Sequence, residues 1–114
     1  MKFSLTSFVL SAAVVSLAGM GAAQAAPDAD AAQALMKDNG CTKCHAVDKT
    51  KKGPSFKKIA EKYKGKADGS DSVVKAITTG PTVKLADGSE EKHKIVESKD
   101  PKQVKNLADW ILSN

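Results

Sequence analysis

Cys41-Thr42-Lys43-Cys44-His45 constrains this chain more than any other stretch of it. Two thiols three positions apart can each close a thioether onto a vinyl group of one haem, and the imidazole that follows can reach the iron from one face. The spacing is that of c-type haem attachment. A structural zinc site accounts for it less well, because it needs two more thiolate or imidazole ligands at matching spacing. The chain holds one further histidine, His93, and no further cysteine. A thioredoxin-like redox pair belongs after a strand in a βαβ setting, which the sequence lacks, and a plain disulfide across so short a loop has no need of the histidine.

The start of the chain says where such thiols would meet a haem. Lys2 is followed by an apolar run from Phe3 to Leu17 broken only by Ser and Thr, and Ala23-Gln24-Ala25 places small residues at the first and third positions. This reads as a secretory signal peptide, residues 1–25, cleaved after Ala25. An N-terminal transmembrane anchor is the competing account, but the apolar core is shorter than the ~20 residues a spanning helix needs and ends in a small-residue cleavage pattern, so no stable membrane insertion is expected after cleavage. Export takes the cysteines out of the reducing cytoplasm. The periplasm is the expected compartment if the source is a double-membrane bacterium.

Charge and composition narrow the class further. All 18 basic residues are lysine, against 13 acidic ones, and without residues 1–25 the balance is 17 to 13, a net charge of +4. With 27% charged and 41% hydrophobic residues, neither a disordered tail nor a membrane-embedded chain fits. The absence of arginine and the few aromatics argue against nucleic acid as a partner. Beyond residue 25 the aromatics are Phe56, Tyr63 and Trp110. That is a thin supply for one small core, and a domain of this size needs a staple, metal or cofactor to complete it.

Apolar periodicity places about four helices and no βαβ alternation. Asp28 or Asp30 can cap a first helix with Ala32, Leu35 and Met36 on one face, ended by Gly40. After a lysine-rich loop from Ala46 to Pro54, Phe56, Ile59, Ala60 and Tyr63 form a second stripe that stops at Gly65. Residues 66–70 read as a turn, and Ser70 or Asp71 caps a short third helix with Val73, Val74 and Ile77, closed by Gly80-Pro81. Residues 81–98 show no helical period. They read as a long loop that could carry a small hairpin, since Val83 and Leu85 alternate with polar residues before Asp87-Gly88. Asp100 and Pro101 open a last helix, with Gln103 as the capping-box partner and Val104, Leu107, Ala108, Ile111 and Leu112 on one side.

With these residues in view, the chain resembles a class I cytochrome c, a small all-α fold of about four helices around one covalently bound haem. The resemblance spans the first helix, Cys41 to His45, Gly53-Pro54 and the helix ending Leu107-Ala108-Asp109-Trp110-Ile111-Leu112. It implies haem c bound through Cys41 and Cys44, His45 as proximal ligand, and a Pro54 carbonyl that accepts a hydrogen bond from the far nitrogen of His45. Such a bond would set the tautomer and raise ring basicity. An ordinary turn is the plainer account of Gly53-Pro54. Packing of the first helix across the last would place Leu35, Met36, Leu107 and Ile111 in the core.

The same resemblance calls for a distal methionine in the loop before the last helix, and none is there. Met1 and Met20 precede residue 26, and Met36 lies on the apolar side of the first helix, as a core residue would. His93, 17 residues before Trp110, stands about where the family's methionine does, so the resemblance points to His93 as distal ligand and a bis-histidine haem. A solvated histidine in Glu90-Glu91-Lys92-His93-Lys94 is the competing account. Lys92 or Lys94 could serve only as a neutral amine, against a pKa near ~10.4.

A filled bis-histidine site implies a one-electron carrier rather than an enzyme, with a lower potential than His/Met members. Lys43, Lys49, Lys51, Lys52, Lys57 and Lys58 could steer acidic redox proteins or serve only as a solubilising face. A monomer is expected. If His93 is off the iron, the chain becomes an open-site haem protein that binds a diatomic ligand or reduces peroxide.

Overall fold

The computed structural model describes residues 26–114. The expected signal peptide, residues 1–25, lies outside the described residues. Four helices carry the fold: α1 (Ala29–Asp38), α2 (Phe56–Tyr63), α3 (Gly69–Thr79) and α4 (Pro101–Leu112). The strands β1 (Thr82–Lys84) and β2 (Glu90–Lys92) pair antiparallel in the segment between α3 and α4. This is the all-α architecture the periodicity indicates, and the hairpin is present. No helix among the described residues is long and apolar enough to cross a membrane.

Each helix begins and ends for a local reason. Asp28 caps α1 by accepting from the Ala31 amide at 3.0 Å, so Asp28 rather than Asp30 is the cap. Asn39 closes that helix, and Gly40 follows at φ 67°, a left-handed turn that favours glycine and aims the chain into Cys41. Ser55 caps α2 through Lys58 N at 3.2 Å.

Two cap assignments from sequence are corrected. The third helix starts at Gly69 behind Asp68, ahead of Ser70 and Asp71, and no side chain caps it. The Ser70 hydroxyl is engaged elsewhere, donating to Asp109 Oδ1 on α4 at 2.7 Å. At α4, Asp100 caps as expected, accepting from Lys102 N at 2.9 Å. Gln103, however, does not return to the Asp100 amide: its Oε1 pairs with the Ser98 hydroxyl, which lies 3.2 Å from Asp100 N and takes the place Gln103 was expected to fill.

α4 is the element against which α1, α2 and α3 all pack. Ala32 and Met36 from α1, Phe56 from α2, Val73 and Ile77 from α3, Val96, and Val104, Leu107, Ala108 and Ile111 from α4 form one buried cluster. Leu35 and Val74 are only partly buried at its margin. Asn106 locks the crossing of the terminal helices with its amide, accepting from Asp28 N at 2.8 Å and donating to Asp28 O at 2.9 Å. Met36 is 4% exposed, within this core.

Candidate haem site

A single 3₁₀ turn, Cys41–Lys43, leads from α1 into the motif. The turn closes on itself through Cys44 N to Cys41 O at 3.1 Å and His45 N to Cys41 O at 3.0 Å. Cys41 and Cys44 are free thiols, each partly exposed. Burial pushes the Cys41 thiol up, while its own backbone bond and the nearby Lys94 ammonium pull it back in part.

The loop after His45 is held by backbone bonds rather than left loose. Gly53 N donates to Cys44 O at 2.8 Å, Phe56 N to Ala46 O at 2.9 Å and Lys57 N to Val47 O at 3.1 Å. These bonds bring Pro54 back beside the histidine. His45 Nδ1 lies 2.6 Å from Pro54 O. A carbonyl oxygen can only accept, so Nδ1 carries the proton and Nε2 is the lone-pair nitrogen. Burial lowers the pKa of His45, and the His93 ring adds to that, against the Pro54 bond. The neutral, ligating form is therefore favoured to lower pH than for a free histidine.

Behind His45 stands an aromatic stack that sequence reading did not anticipate. Phe56 stacks on the imidazole with centroids 5.5 Å apart, and Trp110 meets Phe56 edge-on at 5.6 Å. These residues are distant in sequence: Phe56 lies on the expected stripe of α2, whereas Trp110 lies outside the stripe expected for α4.

His93 follows β2 directly. Its amide donates to Pro81 O at 2.8 Å, extending the hairpin ladder by one bond, and the hairpin turn is tied to the His45 loop through Ala86 N to Lys52 O at 2.9 Å. His93 Nδ1 donates to the carbonyl of Lys94 at 2.9 Å. Thus the two imidazoles share one arrangement, with Nδ1 on a backbone carbonyl and Nε2 left for a metal. Their ring centroids are 6.0 Å apart and the planes are inclined by 43°. One metal between two imidazoles needs roughly 6 Å from centre to centre, the sum of two bonds of about 2 Å and two half-rings. The separation leaves room for one metal ion between the two rings, and the two thiols stand in the turn that leads into His45.

The cytochrome c family model matches residues 29–114. The chain belongs to the cytochrome c family. The crystal structure of the class 1 cytochrome MtoD from Sideroxydans lithotrophicus ES-1 aligns at a TM-score of 0.74 and 53% identity, covering 77% of this chain and 97% of that one. Cytochrome c-551 of Azotobacter vinelandii is 34% identical over 70% of this chain and 93% of its own length. Cytochrome c-552 of Nitrosomonas europaea is 35% identical over 96% and 93%. As a class I c-type cytochrome, the protein carries one covalently bound haem c and serves as a monohaem electron carrier.

Proposed function

We propose that this cytochrome is an exported, bis-histidine one-electron carrier. Cys41 and Cys44 would hold the haem through thioethers, and His45 and His93 would each supply a nitrogen ligand to its iron. The observation that carries the reading is the 6.0 Å separation of the two rings, each with Nδ1 bound to a backbone carbonyl. Bound there, haem supplies a metal that alternates between ferric and ferrous. The chain's own part is to hold both imidazoles neutral and oriented: Pro54 O fixes His45, Lys94 O fixes His93, and Phe56 backs the proximal ring.

Two nitrogen donors stabilise ferric iron more than a nitrogen and a thioether do, so the potential lies below that of His/Met relatives. With both histidines on the iron, no site would remain for oxygen, peroxide or substrate, and the protein would carry electrons rather than catalyse a reaction. Cleavage after Ala25 delivers residues 26–114 to the periplasm as a monomer. Lysines 43, 49, 51, 52, 57 and 58 all lie in the segment around the attachment turn and favour acidic partners. Electron-transfer rates with an acidic partner that do not fall as salt is raised would remove that part of the proposal.

Ligand challenge tests the closed site. Carbon monoxide added to the ferrous protein, and cyanide to the ferric protein, leave the optical spectrum essentially unchanged over the first minutes. An immediate shift with either places an open-site haem protein, binding diatomic ligands or reducing peroxide, ahead of the carrier.

A further inference from the structure

Asn39 and Ser55 are the two buried polar residues among those described, and Ser55 is accounted for as the cap of α2. Asn39 is 7% exposed, and its role at the end of α1 does not account for its whole side chain. Its Nδ2 donates to Leu35 O at 2.9 Å, a carbonyl that already receives the Asn39 backbone amide at 3.1 Å. Its Oδ1 accepts the amide of Glu97, 58 residues away, at 2.8 Å. Asn39 stands two residues before Cys41, and Glu97 four residues after His93.

We infer that Asn39 is a positioning residue for the distal ligand, joining the segment that bears the attachment cysteines to the segment that bears His93; this rests on His93 being that ligand. Residues 93–97 have two backbone ties to the α3 end, His93 N to Pro81 O and Val96 N to Ile77 O, both 2.8 Å. The Asn39 amide supplies a further hydrogen bond, to the end of α1. The contact is continued by the Lys94 side chain, whose Nζ lies 3.6 Å from where a β-carbon on Gly40 would stand. A buried amide bonded at both ends resists separation, because opening the joint leaves a donor and an acceptor without partners. Without it, residues 93–97 keep their ties to α3 and the burial of Val96 but lose their hydrogen bond to the end of α1, so His93 leaves its position more often.

The readout is the rate at which saturating cyanide enters the ferric haem-loaded protein, which reports how often the distal ligand opens. Asn39→Ala raises that rate roughly five- to tenfold, the loss of about one hydrogen bond. Asn39→Asp keeps an acceptor for the Glu97 amide and returns the rate toward wild type, even though a carboxylate at a helix C-terminus lowers global stability. Leu107→Ala, a core truncation in α4, lowers stability while leaving the rate within about twofold, since none of the hydrogen bonds that hold residues 93–97 involves Leu107. An unchanged rate in Asn39→Ala, or equal acceleration in Leu107→Ala, overturns the inference while leaving His93 ligation standing. Fast cyanide entry in the wild type, matched by His93→Ala, overturns the ligation and this inference with it.

Discussion

A β-carbon on Gly53 would stand 2.7 Å from Cε1 of His45, inside the contact distance of two carbon atoms. The imidazole therefore lies flat against a residue that must have no side chain, one position before the proline whose carbonyl holds its Nδ1 at 2.6 Å. Gly53→Ala pushes the ring off that carbonyl. The expected cost is about 1–3 kcal/mol of stability, as for other overpacked sites, together with a perturbed haem spectrum. Urea unfolding beside the optical spectrum checks both, and a variant with wild-type values in each contradicts the packing described.

Leu107 is fully buried where α4 meets the other helices. Leu107→Ala opens a cavity in the middle of the cluster, with an expected loss of ~2–5 kcal/mol. The denaturation midpoint should fall with its slope unchanged. The EPR signature of the ferric protein should stay as it was, because Leu107 belongs to the helix packing and not to either ligand loop.

Asp109 gives the fold an acid limit that can be assigned to particular partners. Partial burial works to raise its carboxyl, but the bonds from Lys105 at 2.6 Å and Ser70 at 2.7 Å more than offset this and hold it below the ordinary carboxylate range. A depressed folded-state pKa contributes stability above the unfolded value, near ~3.9, that is lost as pH falls through the folded value. The carboxylate is about one-third exposed, so solvent screening limits the contribution to about 1 kcal/mol or less. Asp109→Asn should lower stability at neutral pH and flatten its decline below about pH 4. A variant that keeps the wild-type acid slope would show that other carboxylates set it.

What could be read before the fold was known depended on whether the cause was local. Asp28, Asp100 and Pro101 act within one turn of themselves, and the stripes of α2 and α4 follow from a period that holds whatever lies opposite. Asp87-Gly88 marked its hairpin for the same reason. Ser70 failed as a cap because its hydroxyl found Asp109, 39 residues on, and Gln103 lost its role to Ser98. The carbonyl under His93, the Phe56–Trp110 stack and the Asn39–Glu97 bond arise only when separated segments are brought together. A residue such as Asn39, next to a helix-ending glycine, carries the same sequence signal whether it stops a helix or also grips a distant loop.

The most direct measurement is the low-temperature EPR spectrum of the ferric haem-loaded protein beside that of a His93→Ala variant. The account predicts a low-spin wild type with two nitrogen ligands, and a variant that turns high-spin and takes up added imidazole. A wild type that is already high-spin, or a variant with the same spectrum as the wild type, contradicts it.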